Sequence, residues 1–211
     1  IIDFGGKPMI AWTIEAAIKS KIFSKVLVST DCEEVAKIAK EYGADVPFLR
    51  SNFSDDITPV SEATCHALKQ AEDYWKTQFN SVTQLMANCP LRSSQDIENA
   101  MKVFKNKKRD YQISCFKFGW MNPWWSFKFN EDMSHKFMFP DAQFQRSQDL
   151  DSLYCATGSI WIANCAKLKI SNSFYGSGYK FEEINWISAV DIDDYEDLSF
   201  NESITGGYNF L

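Results

Sequence analysis

The sequence has little histidine, no clustered cysteine and no long apolar run. Its 211 residues include only two histidines, His66 and His135, and six cysteines that stand singly without a CxxC pair. Zinc sites and disulfide frameworks need such clusters, so the spacing favours reduced thiols and a cytoplasmic location. No uninterrupted apolar run is long enough to cross a bilayer, which argues against a membrane partner.

Positive charge is also scarce, since the formal net charge is −6 at pH 7. This balance disfavours a nucleic-acid backbone as the main partner. An anionic substrate would therefore need a local basic patch or a metal ion. An apolar share of 45 % and an aromatic share of 15 % are ample for the core of one large domain, or of one domain with an insertion.

The apolar pattern predicts helices that alternate with short strands. Helical patterns cover residues 7–20 and 59–75 and also follow Thr30 or Asp31 and Ser93 or Ser94. Short apolar runs predict strands at 25–30, 44–49, 81–86, 111–116 and 157–163. This alternation predicts an α/β domain with a mainly parallel sheet, in which ligands lie beyond the carboxyl ends of the strands.

Residues 118–150 interrupt this rhythm and divide the chain. The stretch is rich in aromatic residues, including Trp120, Trp124 and Trp125, and it lacks clustered Lys and Arg. A base-stacking surface is disfavoured for that reason, and an interface between proteins is favoured. We therefore expect an α/β domain from 1–117 and 151–211, with a β-rich excursion at 118–150 that packs against another subunit.

Two carboxylates near the end of the chain suggest a metal site. The run Val190-Asp191-Ile192-Asp193-Asp194 follows small and β-branched residues, and residues two apart on a strand share a face. Asp191 and Asp193 would then aim at one point, as suits a Mg²⁺ ion that substrate phosphates complete. The alternative is that Asp193 or Asp194 caps a following helix and the other acids are solvated.

With its predicted elements and motifs in this order along the chain, the sequence resembles the acylneuraminate cytidylyltransferases, which are CMP–nonulosonic acid synthetases. Eight short motifs in the family's order and spacing carry the resemblance: Gly6-Lys7-Pro8-Met9-Ile10, Val28-Ser29-Thr30-Asp31, residues 42–50, Asp55-Asp56-Ile57-Thr58-Pro59, Cys89-Pro90-Leu91-Arg92, residues 145–150, Thr157-Gly158-Ser159-Ile160 and Val190-Asp191-Ile192-Asp193. The resemblance implies a three-layer α/β/α sandwich of the nucleotide-diphospho-sugar transferase type. It also implies a homodimer joined through the excursion.

The same resemblance implies an activity: CMP passes from CTP to the anomeric hydroxyl of a nonulosonic sugar acid, with Mg²⁺ as cofactor, and pyrophosphate is released. Asp191 and Asp193 match the family's metal-binding pair. Further matched positions line the nucleotide or substrate cleft: Asp31, Arg50, Thr58, Asn88 and Gln148. The alternatives are an N-cap for Asp31, a solvated surface side chain for Arg50 and a helix-entry charge pair for Arg92.

Departures from the family pattern leave the sugar open. Met86 and Cys155 stand where the family has glutamine and arginine, and Ser147 replaces a second arginine. Arg146 is then the best remaining residue for the carboxylate of a keto acid, because a guanidinium donates two parallel hydrogen bonds to a carboxylate. A legionaminic-type acid fits as well as N-acetylneuraminic acid, and a sugar without a carboxylate stays open. Another nucleotidyltransferase, or a silent nucleotide-binding homologue, is the alternative function.

The start of the sequence also departs from the family. The run Ile1-Ile2-Asp3-Phe4-Gly5-Gly6 has no initiator methionine and resembles the middle of an element. Family members begin with an apolar strand and a basic, glycine-rich loop that holds the triphosphate. We therefore expect such a segment to precede Ile1 in the natural protein.

Overall fold

The computed structural model describes residues 1–51 and 58–207. Its helices are α1 (Met9–Lys19), α2 (Glu33–Glu41), α3 (Val60–Trp75), α4 (Ser94–Asn106), α5 (Cys165–Ser171), α6 (Trp186–Ala189) and α7 (Tyr195–Gly207). Its strands are β1 (Asp3–Phe4), β2 (Lys7–Pro8), β3 (Ser81–Gln84), β4 (Tyr111–Lys117), β5 (Phe127–Phe129), β6 (His135–Phe137), β7 (Tyr154–Asn164) and β8 (Lys180–Glu183). The motif residues Asp55, Asp56 and Ile57 lie outside the described part of the chain.

A four-stranded sheet in the order β3-β7-β4-β8 forms the centre of the fold. The long strand β7 runs antiparallel to both β3 and β4, whereas β8 runs parallel to β4. The mixed α/β class is therefore confirmed, but the prediction of a mainly parallel sheet is not. The difference arises from β7, which lies between two strands of the same direction and runs antiparallel to both, so that two of the three ladders are antiparallel.

The two runs predicted as strands at 25–30 and 44–49 are corrected to a single bridge. Leu27 and Asp45 pair in parallel, and the amide of Asp45 donates to the carbonyl of Val26 at 2.7 Å. Farther along, the amide of Arg50 donates to the carbonyl of Thr30 at 2.8 Å. Apolar residues of both runs pack with α1 and α2, but these few bonds are too sparse to make a ladder.

Helices cover both faces of the central sheet. On one face, Cys65 of α3 and Leu168 of α5 pack with side chains of β4 and β7. On the other, α4 packs against Ile160 and Ile162 of β7. The helices predicted from residues 7, 59 and 93 are confirmed as α1, α3 and α4, and a capping box between Ser93 and Asp96 begins α4. Within residues 1–51 and 58–207, no helix combines the length and apolarity that crossing a bilayer demands.

The excursion at 118–150 forms a small hairpin of its own. Strands β5 and β6 pair only with each other in the described structure, and short 3-10 turns flank them at Pro123–Trp125 and Pro140–Phe144. The amide of Phe118 donates to the carbonyl of Leu153 at 3.0 Å, which closes the base of the excursion near its predicted boundaries. Several of its large apolar side chains are exposed to solvent: Trp120, Met121, Phe127, Phe129, Met133, Met138, Phe139 and Phe144.

Candidate active site

The acidic segment, residues 190–194, connects α6 to α7 without joining the sheet. The expectation that Asp191 and Asp193 lie on a β-strand is therefore wrong, since no strand among residues 1–51 and 58–207 pairs with this segment. Burial nevertheless alternates along the segment, with Ile192 buried and the residues on either side of it exposed. Asp191 and Asp193 thus share the solvent side of the segment, as the alternation required.

The alternative role, capping of the next helix, falls to Asp194. Its Oδ1 accepts hydrogen bonds from the amides of Glu196 and Asp197 at 2.8 and 2.9 Å. In return, Asp197 Oδ2 accepts a hydrogen bond from the amide of Asp194. This reciprocal arrangement satisfies donors at the start of α7 that have no partner within the helix. Asp193 contributes only its backbone amide to it, so its carboxylate is left for another role.

Asn88 joins the acidic segment to the loop that follows β3. Its side-chain Nδ2 donates to Asp193 Oδ1 at 2.9 Å, and its carbonyl accepts the amide of Ile192 at 2.9 Å. Two of the residues expected in the site are therefore in direct contact, although 105 positions separate them. The bonds fix both the backbone of the acidic segment and the orientation of one carboxylate.

Negative charge is concentrated on the exposed side of the segment. Partial burial raises the pKa of Asp191, and the neighbouring charge of Asp193 raises it further. A cation between the two would relieve that repulsion. No group of three or more His, Cys, Asp or Glu side chains suited to a metal occurs among residues 1–51 and 58–207. A metal held here would take its remaining ligands from substrate or water, and Mg²⁺ is usually coordinated in this way, by one or two carboxylates together with substrate phosphates and water.

Arg92 is buried beneath the 86–92 loop rather than paired at a helix entry. It is only 2 % exposed, and its guanidinium donates to the carbonyls of Ser159 and Met86 and to the hydroxyl of Thr13. Burial lowers the pKa of Arg92 to about 10. Sequence reasoning missed this role, because an arginine before a capping serine gives no sign that two distant segments, at Thr13 and Ser159, converge on it.

Met86 packs directly against the backbone of β7. A side-chain carbon at Gly158 would lie 2.1 Å from the Met86 sulfur, so any larger residue there would force the Met86 side chain to move. The amide of Met86 also donates to the carbonyl of Gly158 at 3.4 Å. The 86–92 loop is therefore seated on β7 by packing and by the bonds of Arg92.

Asp31 and Arg50 form a second group of expected residues. Their side chains make an ion pair at 3.6 Å, in which Asp31 is half exposed and Arg50 is largely covered. The bond between the Arg50 amide and the Thr30 carbonyl holds their backbones side by side. Asp31 does not cap α2, which begins after Cys32 without a side-chain cap. Thr58 lies on the other side of the undescribed residues, just before α3.

Arg146 and Gln148 lie at the end of the excursion. Arg146 is exposed and pairs bidentately with Asp149, through Nε at 2.8 Å and Nη2 at 3.1 Å. Gln148 is exposed in the 3-10 turn between them and accepts a bond from the Ser147 hydroxyl at 3.4 Å. Among the described contacts, neither side chain touches the acidic segment, so their part in a common site stays a prediction.

Residues 1–199 match the sequence model of the cytidylyltransferase family. The chain is 30 % identical over 203 residues to pseudaminic acid cytidylyltransferase of Campylobacter jejuni, covering 95 % of this chain and 86 % of that protein. It is also 30 % identical over 204 residues to CMP-N,N'-diacetyllegionaminic acid synthase of Legionella pneumophila, covering 94 % of this chain and 85 % of that protein.

A solved structure of similar fold is that of CMP:2-keto-3-deoxy-manno-octonic acid synthetase in complex with CTP. It superposes with a TM-score of 0.69, covering 98 % of this chain and 90 % of the other. Only 13 % of the aligned residues are identical. At that level the likeness establishes the architecture alone.

Proposed function

The chain belongs to the cytidylyltransferase family, and on that premise we propose that it transfers CMP from CTP to the anomeric hydroxyl of a nonulosonic sugar acid. The observation that carries this proposal is the junction of the 86–92 loop with the acidic segment through Asn88, Ile192 and Asp193. It places two exposed carboxylates beside the carboxyl end of β3, where ligands of α/β sheets bind. The relatives named above for pseudaminic and legionaminic acids support a substrate of that class.

The proposed reaction is a single displacement at phosphorus. The sugar hydroxyl oxygen attacks the α-phosphorus of CTP, a new O–P bond forms, and the bond to the β-phosphate oxygen breaks. Pyrophosphate leaves with the bonding electron pair, and the hydroxyl proton passes to solvent. Charge accumulates on phosphate oxygens, so positioning and electrostatic stabilisation dominate over covalent catalysis.

Asp191 and Asp193 fit a Mg²⁺ ion, since they are hard oxygen ligands on one exposed side of one segment. When bound, Mg²⁺ would neutralise triphosphate charge and align the reacting groups. The role of Asn88 is to hold one oxygen of Asp193 through its amide, which fixes the direction of the other. Asn88 is therefore proposed as a positioning residue within the binding site.

The remaining expected residues are assigned by charge and position. Arg146 is exposed and has one terminal nitrogen that does not bond Asp149, so it is proposed to bind the sugar carboxylate, with Gln148 beside it. Asp31, Arg50 and Thr58 are proposed to contact the nucleotide. If the sugar lacked a carboxylate, Arg146→Met would leave its KM unchanged.

The proposed test measures pyrophosphate release. CTP is combined with a panel of nonulosonic acids and with 3-deoxy-octulosonic acid, and each of the other nucleoside triphosphates is then tested in place of CTP. We expect turnover only when CTP, Mg²⁺ and a nonulosonic acid are all present. Turnover with another nucleotide or sugar would replace the assigned substrates. Binding of CTP without turnover of any sugar would identify a silent homologue instead.

We also propose that the excursion joins two copies of the chain. Large apolar side chains exposed on a separate hairpin are costly in water and typical of a surface that another protein covers. The expected assembly is a homodimer, to be measured by light scattering at several concentrations. The cytoplasmic location favoured by the scattered cysteines stays a prediction that fractionation of cells would test.

A further inference from the structure

Strand β7 carries a large irregularity where it passes the acidic segment. Ile113 pairs with Trp161, and Cys115 pairs with Ala156, so the single β4 residue Ser114 lies opposite the four β7 residues 157–160. This stretch of β7 is called the bulge here. Its backbone cannot follow the ladder, and bulges of this kind redirect side chains, often next to active sites.

Ser114 stabilises the bulge from the neighbouring strand. Its hydroxyl donates to the Thr157 carbonyl at 3.0 Å and accepts the amide of Ile160 at 2.9 Å. One side chain thus bonds both ends of the extra residues. Because buried backbone groups need partners, this contact makes the irregular geometry a defined one rather than a loose one.

Two hydroxyls of the bulge bond the carboxyl end of α6. Thr157 Oγ1 donates to the Ala189 carbonyl and Ser159 Oγ donates to the Ser188 carbonyl, each at 2.8 Å. Thr157 is 6 % exposed and Ser159 is fully buried. The last carbonyls of a helix have no partner within it, so these hydroxyls satisfy two groups that would otherwise be unpaired in the interior.

The other side of the bulge supports the 86–92 loop. The Ser159 carbonyl accepts Arg92 Nη1 at 2.6 Å, and Gly158 lies directly under the Met86 side chain. The loop that carries Asn88 and the helix end that leads to Asp191 are therefore both attached to three consecutive residues of one strand. A shift of the bulge would change the placement of Asn88 relative to Asp193.

We propose that the bulge is the positioning element of the active site, and that the hydroxyls of Thr157 and Ser159 set the position of the Asp191–Asp193 carboxylates by holding the end of α6. They act through α6 and touch neither substrate nor metal. The inference rests on the proposed function for its kinetic part, but the placement of the acidic segment is testable without catalysis.

The test compares Thr157→Val, which removes the hydroxyl at nearly constant volume, with Thr157→Ser, which keeps it. The first readout is hydrogen exchange of the Ile192 amide, which bonds the Asn88 carbonyl. We expect exchange about tenfold faster in Thr157→Val and restored in Thr157→Ser, because Thr157→Val removes the buried bonds of this hydroxyl to the Ala189 carbonyl and from the Ser159 amide and so loosens the segment locally. The second readout is turnover, with kcat reduced about 10- to 100-fold and KM for CTP changed less than about threefold.

The matched control is Ser20→Ala, since Ser20 is also buried and its hydroxyl also donates to a backbone carbonyl, that of Ala17 at the end of α1. It should lower Tm without changing Ile192 exchange or kcat. If Thr157→Val does not fold, Ser159→Ala is judged by the same two readouts. Wild-type exchange and kcat in the hydroxyl-free variants, or an equal effect of Ser20→Ala, would overturn the proposal. Absence of turnover in the wild-type protein would reject the proposed function, while the exchange readout would still decide the positioning role.

Discussion

Two regions of this molecule reverse the usual distribution of polar and apolar groups. Around the bulge, the interior contains hydroxyls and an arginine: Ser114, Thr157, Ser159 and Arg92 are all buried. In the excursion, Trp120 and Phe144 are 85 % and 88 % exposed. Neither arrangement maximises the stability of a lone chain, because polar groups are costly inside and large aromatic groups gain most from burial.

The difference between the two regions lies in what each arrangement provides. Buried hydroxyls that bond single carbonyls fix the positions of atoms, which an apolar core of the same volume does less specifically. Exposed aromatic groups fix nothing within the chain but supply area for another surface. The interior of this protein therefore orders a site, and its excursion is available for association.

The largest expected effect tests the site beside the bulge, by removing the Asp193 carboxylate that Asn88 orients. Asp193→Ala should reduce kcat/KM for CMP transfer by about 10³-fold, the scale seen when one preorganised electrostatic group is removed. The measurement is pyrophosphate release with CTP and the active sugar acid. Folding should persist, because the Asp193 side chain is exposed and its amide remains to bond Asp197.

The control for this change is the next residue along the chain. Asp194→Asn keeps a side-chain oxygen that can cap α7, so activity should stay within about threefold of wild type and Tm should change little. A full loss in both variants would mean that charge in the segment matters in general. Full activity in Asp193→Ala would remove the metal assignment.

Arg92 offers the largest expected effect on stability. Arg92→Met leaves the carbonyls of Met86 and Ser159 without their charged donor in the interior, at an expected cost of about 3 kcal/mol in the free energy of unfolding. Urea denaturation measures it. Arg146→Met, at an exposed position, should change the same quantity by less than about 0.5 kcal/mol. Equal losses in the two variants would contradict the contrast between interior and excursion.

The local features of these regions could be predicted from sequence, and the long-range ones could not. The helix pattern, the serine that begins α4 and the alternation around Ile192 follow from a few neighbouring residues, and they occur in the structure. The aromatic composition of 118–150 likewise marked the excursion. Each of these signals lies within about ten positions of the feature it predicts.

The bulge escaped prediction because its partners are remote in sequence. Thr157 bonds a residue 32 positions away, and Arg92 bonds one 67 positions away. Threonine is an ordinary strand residue, and the one local sign at 157–160 is Gly158, because an isolated glycine inside a strand indicates a bulge or a close backbone approach. That sign gives neither the size of the bulge nor its partners. The same limit explains the error over Asp191 and Asp193, since the run resembles a strand but pairs with no strand in the described part of the chain.

The excursion is tested by changing its exposed aromatic groups. Phe129→Ser combined with Phe144→Ser should shift the homodimer to monomer in light scattering, with at least a tenfold weaker dimer constant. The unfolding free energy of the monomer should change by less than about 1 kcal/mol, because both side chains are exposed. Tyr74→Ser, an exposed aromatic on α3, is the control and should leave assembly unchanged. A monomeric wild-type protein would reject this role for the excursion.

The smallest expected effect concerns the connection between the two regions. Trp124 Nε1 donates to the carbonyl of Asp151 at 2.8 Å, which bonds the excursion to the segment that leads into β7, the strand that contains the bulge. Trp124→Phe removes this donor and keeps most of the ring area, so we expect amide exchange in β5 and β6 to rise about threefold while exchange of Ile192 stays the same.

Thr157→Val should give the opposite pattern, with faster amide exchange at Ile192 and unchanged amide exchange in β5 and β6. Because the Trp124–Asp151 bond is exposed, water can replace the lost donor there, whereas the Thr157–Ala189 bond is buried and its loss leaves the Ala189 carbonyl unpaired in the interior. If each change loosened both regions equally, the interior and the excursion would form one cooperative unit, and the division of roles between them would fail.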